Sequence, residues 1–164
     1  MLTSDLAGPR PLLIDTHIWV WASGGSGGVG RFAAWIGPWL ETAAREKRLL
    51  ASVVSVWEIA LKAQRGDLLV HGNLEAWLER QKQPPGVRVA PLHAKVAIES
   101  TVLPAWVRKS DGKEHRDPCD RFLVALARLK SATLITCDEL ILDYAKAGNL
   151  IACDARAGLK SRAD

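Results

Sequence analysis

Pro11-Leu12-Leu13-Ile14-Asp15 is the stretch from which the fold is read. A short apolar run ends on a carboxylate, and the chain from Thr16 to Ala22 continues apolar and tryptophan-rich. A run that stays apolar instead of alternating fits a strand buried on both faces, as in a parallel sheet covered by helices. The same pattern recurs at 49–54, 87–90, 133–136 and 150–152. Between these runs the apolar spacing is helical. Phe32, Trp35, Ile36, Trp39, Leu40 and Ala43 mark a helix over 32–47, and Gly66 closes another over 55–65. Further helices are expected over 74–81, 93–103, 118–130 and 139–147. Short buried strands alternating with helices predict an α/β fold, a three-layer α/β/α sandwich around a central parallel sheet. It occupies 11–153, with a loose tail over 1–10 and a second over 154–164.

The chain has 164 residues, which suits one domain. It is 48% hydrophobic and 24% charged, which excludes a disordered chain, a collagen and a coiled coil. No apolar run approaches the roughly 20 residues of a membrane span, and Met1-Leu-Thr-Ser-Asp5 lacks the basic start of a secretory signal. Cys119, Cys137 and Cys153 are odd in number and form no C-x-x-C pair. They predict buried apolar roles in a reducing, cytoplasmic setting, with neither a disulfide nor a zinc site. Lys and Arg number 22 against 18 Asp and Glu, a net charge of +4 that permits a polyanionic partner without demanding one. The glycine-rich 24–30 has neither a following Gly-Lys-Ser/Thr nor G-x-G-x-x-G spacing, so it reads as a linker. Trp19, Trp35 and Trp57 lie on apolar patterns and are expected in the core. Core is also the expectation for Trp77 and Trp106, beside polar stretches where a Trp can anchor a partner.

Ligands of parallel α/β sheets bind beyond the carboxyl ends of the strands. Four acids stand there: Asp15, Glu58 in Ser55-Val-Trp-Glu58, Asp120 in Asp117-Pro-Cys-Asp120, and Asp138 in Thr136-Cys-Asp138. Each has a structural explanation. Ser55 and Glu58 have capping-box spacing, and Asp117 before Pro118 suits an N-cap. Asp15 and Asp138 can cap the helices that follow them. Jointly, however, four carboxylates at one sheet edge repel, and helix N-termini offer only partial positive charge. A divalent cation neutralises them, and Mg²⁺ accepts a few carboxylates with retained waters. Such an ion activates water and holds a phosphate.

Leu13-Ile-Asp-Thr-His-Ile-Trp19, Ser55-Val-Trp-Glu-Ile-Ala-Leu-Lys62, His115-Arg-Asp-Pro-Cys-Asp-Arg121 and Leu134-Ile-Thr-Cys-Asp138, in this order, resemble the PIN-domain family and its VapC-type toxins. The resemblance spans roughly 11–153. It implies a Mg²⁺- or Mn²⁺-dependent endoribonuclease, the toxin of a toxin–antitoxin pair. Asp15, Glu58, Asp120 and Asp138 would be catalytic. Asp15 and Asp120 would be the central metal ligands, with Asp138 and Glu58 completing the site or holding waters. Thr136 would support the last acid, and Asp117 matches the motif while capping its helix. A cognate antitoxin protein and a homodimer are further implications. The basic loop before Asp117 is longer than the family's usual one. Arg108, Lys109, Lys113, Arg116 and Arg121 are candidates for RNA phosphates. His17 is expected to pack at the sheet edge, and His115 to act indirectly at most. Two alternatives stay open: a non-catalytic RNA- or protein-binding module on the same fold, and a metal-dependent phosphatase or DNA nuclease.

Overall fold

Buried on both faces and hydrogen-bonded on both edges, β1 (Leu12–Ile14) is the middle strand of a five-stranded sheet. The structure is a computed structural model that describes residues 6, 8–24, 34–69, 72–83, 85–108 and 110–157. The other strands are β2 (Leu49–Ser52), β3 (Arg88–Ala90), β4 (Thr133–Thr136) and β5 (Ala152–Asp154). All pairings are parallel, in the order β3-β2-β1-β4-β5, with Ile14 level with Ala51 on one side and Ile135 on the other. The chain moves outward from β1 to β3, then returns past β1 to lay down β4 and β5. The order therefore reverses between β1 and β4.

Alternation along each strand divides the interior in two. Leu12, Ile14, Leu49, Ala51 and Ile135 face one apolar cluster, with α1 (Thr16–Ala22), α2 (Ile36–Arg45), α3 (Val53–Gln64) and α4 (Leu74–Lys82). Leu13, Leu50, Leu134 and Ala152 face the other, with α5 (Ala94–Thr101), α6 (Pro118–Leu129) and α7 (Glu139–Lys146). This is the expected three-layer α/β/α sandwich, and β1 reads as an unbroken apolar run because both its faces are covered, whereas the edge strand β3 opens on exposed Arg88. Among the described residues no helix is long and apolar enough to cross a membrane.

Several local expectations need correction. β2 stops at Ser52, whose hydroxyl accepts the Val54 N–H at 3.1 Å, so Ser52 is the N-cap of α3. Ser55 and Glu58 therefore form no capping box: Ser55 is buried one turn in, and Glu58 lies in the second turn. Trp57 is 57% exposed, because α3 turns Val54, Ser55 and Ile59 inward and leaves Val53 and Trp57 on its outer face. Trp19, Trp77 and Trp106 are buried, and Trp35 packs half-buried on the core. β5 falls two residues later than expected, and Ala155 beyond it is buried; Leu6, near the start, is buried too. α2 begins at Ile36, and the expected start at Phe32 lies outside the described residues, as do 25–30 of the glycine-rich stretch. Gly66 ends α3 as expected, with φ +77°, a conformation that favours glycine.

Leu13 is 0% exposed at the centre of the sheet. Leu13→Ala should cost about 2–5 kcal/mol in a urea titration. Leu69→Ala, at a site 83% exposed, should stay within about 0.5 kcal/mol.

Candidate active site

Asp15 stands at the carboxyl end of β1, at the point where the strand order reverses, the usual position of a ligand site in an open parallel sheet. Its backbone N–H donates to the Ile135 carbonyl at 3.0 Å, stitching it to β4. It is only 6% exposed, yet both carboxylate oxygens are used. Oδ1 accepts the Thr16 N–H at 2.6 Å and caps α1. Oδ2 accepts the Thr136 hydroxyl at 2.6 Å. The Thr136 oxygen in turn accepts the Asp138 N–H at 2.9 Å, and Asp138 Oδ1 caps α7 through the N–H groups of Leu140 and Ile141. Thr136 thus links the first acid to the last.

Glu58 reaches the same edge from α3, its Oε2 accepting the Thr16 hydroxyl at 2.5 Å. Asp120 arrives from the first turn of α6, with Oδ2 2.8 Å from His115 Nε2. Asp117 caps α6 through Cys119 N–H and Asp120 N–H, and Pro118 opens the helix.

The two histidines are the participants that sequence reasoning undervalued. The Cys137 N–H donates to His17 Nε2 at 3.0 Å, so in the neutral ring Nδ1 carries the proton. Nδ1 lies 3.3 Å from Asp15 Oδ2 and holds the carboxylate from a third direction. His115 is buried against Trp106, their ring centroids 4.4 Å apart, and grips Asp120. The Asp15-x-His17 and His115-x₄-Asp120 spacings were visible, but spacing alone does not show which way a ring faces.

Electrostatically the site is short of positive charge. Burial pushes Asp15 above the ordinary carboxylate range, against the pull of His17 and the hydrogen bonds from Thr136 and Thr16. Burial likewise raises Glu58. Burial, together with Asp138, Asp117, Asp15 and Glu58, pushes Asp120 up to about 8. Burial also lowers His115, so both members of the Asp120–His115 contact are pushed toward their neutral forms. Burial pushes the Cys119 and Cys137 thiols up to about 11; Cys137 and Cys153 are buried as expected, whereas Cys119 is only partly so.

The donor set suits a hard divalent cation: carboxylate oxygens from four separate elements, each charge raising the cost of the next. Among the described residues, no three His, Cys, Asp or Glu side chains are already gathered into a metal cage. Each acid is held by its own local partner instead. Mg²⁺ does not need such a cage, since it usually binds one or two carboxylates together with waters and substrate phosphates.

Beside Asp120 a cleft of about 680 Å³ is lined by Arg108, Lys113, Glu114, His115, Arg116, Asp117 and Leu140. Arg121 is committed elsewhere, donating to the carbonyls of Ser100 and His115 and lying 3.7 Å from Glu114. Lys109 lies outside the described residues.

The sequence model of the PIN domain family matches residues 12–147. Three solved structures share the fold. A chain of VapBC2 from Rickettsia felis, bound to a DNA fragment from their promoter, is 16% identical with a TM-score of 0.59, over 87% of this chain and 96% of that one. FitAcB from Neisseria gonorrhoeae is 22% identical with a TM-score of 0.58, over 88% and 97%. VapBC-1 from nontypeable Haemophilus influenzae is 17% identical with a TM-score of 0.51, over 87% and 96%. No curated protein sequence matches the chain.

Without metal, the Asp120 proton couples stability to pH. An unfolded Asp releases its proton near about 3.9, while folded Asp120 keeps it up to about 8. In that window the native state binds more protons than the unfolded chain, so stability falls as pH rises. In chelator, Asp120→Asn should therefore lose less stability than wild type between about pH 5 and about pH 8 in urea melts. Equal losses would show that Asp120 titrates as an ordinary carboxylate.

Proposed function

Since the chain belongs to the PIN-domain family, we propose that it is a divalent-metal-dependent endoribonuclease of the VapC type, the toxin of a toxin–antitoxin pair. What supports this reading is that burial, together with the charges of Asp138, Asp117, Asp15 and Glu58, pushes Asp120 up to about 8, so acids from four separate elements act on one another.

Asp15 and Asp120 would hold Mg²⁺ or Mn²⁺, with Asp138 and Glu58 completing the site. The bound ion supplies an activated water and neutralises charge on the phosphate. The chain's own residues prepare this chemistry. Thr16, Thr136 and His17 fix Asp15, and His115 fixes Asp120, so neither carboxylate has to reorganise freely when the ion binds. Arg108, Lys113 and Arg116 place positive charge beside the acids, where an RNA backbone would pass. The reading includes a cognate antitoxin that covers the acids, a second copy of the chain as dimer partner, and a cytoplasmic setting.

Labelled RNA and DNA, each incubated with Mg²⁺ or Mn²⁺ and with chelator, test the proposal. RNA should be cut only with metal. Asp15→Asn and Asp120→Asn should each lower the rate at least about a hundredfold, a loss of roughly 2.7 kcal/mol in transition-state stabilisation, while circular dichroism stays native. Cleavage of DNA alone would make this a DNA nuclease, and RNA bound but never cut would make it a binding module.

Metal should also stabilise the fold. At about a hundredfold excess over Kd the gain is roughly 2.7 kcal/mol, or roughly 5–10 °C in Tm for a chain of this size. Asp15→Asn and Asp120→Asn should show a smaller rise and, without metal, should melt at or above wild type. Identical metal responses in all three proteins would overturn the metal site.

A further inference from the structure

The described residues of the basic loop before Asp117 pair as a hairpin. Val107 and Glu114 form an antiparallel bridge, the Arg108 N–H donates to the Lys113 carbonyl at 2.9 Å, and the Gly112 N–H donates to the Arg108 carbonyl at 2.9 Å. Its base is anchored to the body. Trp106 is buried and stacked on Tyr144 with centroids 4.5 Å apart, and its Nε1 donates to the Leu140 carbonyl. The next residue past the hairpin, His115, holds Asp120. The basic wall of the cleft is therefore held in register with the acids.

The charges on that wall are only provisionally paired. Arg108 Nη2 donates to Asp111 Oδ2 at 2.6 Å, while its Nε is buried and has no hydrogen-bond partner. Arg116 Nε donates to Glu114 Oε2 at 3.1 Å, with the Arg116 side chain 83% exposed. Among the described residues Lys113 has no side-chain partner, although it lines the cleft. Exposed ion pairs of this kind contribute little. A phosphate, by contrast, offers a guanidinium two parallel acceptors. Asp111 and Glu114 thus occupy on the two arginines the place an incoming phosphate would take.

We propose that this cleft is a phosphate subsite for the stretch of RNA flanking the scissile bond, in which Arg108, Lys113 and Arg116 receive successive backbone phosphates and Asp111 and Glu114 occupy the arginines until they arrive. The inference rests on the ribonuclease reading and adds to it where the strand runs. About 680 Å³ accommodates a nucleotide-sized group, and Asp117 and His115 join the cleft to the acid site.

The test is the affinity of a fluorescein-labelled single-stranded RNA oligonucleotide in chelator, titrated with salt. Lys113→Gln and Arg116→Gln should each reduce the log–log salt slope by about 0.7. Asp111→Asn keeps the acceptor for the Lys113 N–H but weakens the hold on Arg108, so it should raise affinity about two- to fivefold at low salt. Lys130→Gln, at the far end of α6, should change neither quantity. Unchanged slopes and affinity in a wild type that binds RNA would overturn the subsite and leave the ribonuclease reading standing. Equal binding of a DNA strand with the same dependence on Lys113 would overturn the assignment to RNA, and no RNA binding by wild type would overturn both.

Discussion

A carboxylate is buried at the end of the central strand, and the rest of the site depends on how it is accommodated. Unpaired, a buried charge of this kind is costly enough to protonate or to unfold its surroundings. Asp15 offsets part of that cost through three neighbours brought from two places in the chain: the Thr16 amide and His17 ring just after it, and the Thr136 hydroxyl from β4. The parallel register that sets Ile14 beside Ile135 is what places Thr136 next to Asp15. Sheet topology and site geometry are thus one constraint. A slip of one residue between β1 and β4 would exchange the two cores and remove the hydroxyl that donates to the carboxylate at the same time.

The capping acids at this edge each cap with one oxygen. Asp138 caps α7 with Oδ1, and Asp117 caps α6 with Oδ1. Asp15 caps α1 with one oxygen and turns the other toward Thr136 and His17. Helix N-termini at a sheet edge supply partial positive charge for this arrangement, but not enough for four carboxylates, and the raised Asp120 records the deficit.

The layers of the fold were legible because short strands buried on both faces are apolar at their centres, as Leu12–Ile14 and the Leu134-Ile135 pair of β4 illustrate. Asp15 and Asp138 stood out because they follow those strands, Glu58 and Asp120 because they sit near helix starts. What escaped depended on tertiary context. Ser52 and Ser55 are both plausible caps in the sequence, and only the length of β2 decides between them. Trp57 looks like a core residue until the neighbours of α3 determine which of its faces is covered. His17 and His115 differ from ordinary packed histidines only in the orientation of the ring, which a sequence does not carry. Arg121 shows the same limit: it belongs to the basic group by spacing, yet its guanidinium is spent on two backbone carbonyls.

The bond between Thr136 and Asp15 joins residues 121 positions apart. On the ribosome, at about 5–20 residues per second, β1 is made roughly 6–24 s before its partner emerges. Throughout that interval the first acid has no hydroxyl to hold it and the last acid does not exist. The site cannot assemble before β4 and Asp138 have been made. Order of synthesis therefore makes the first acid wait for the last.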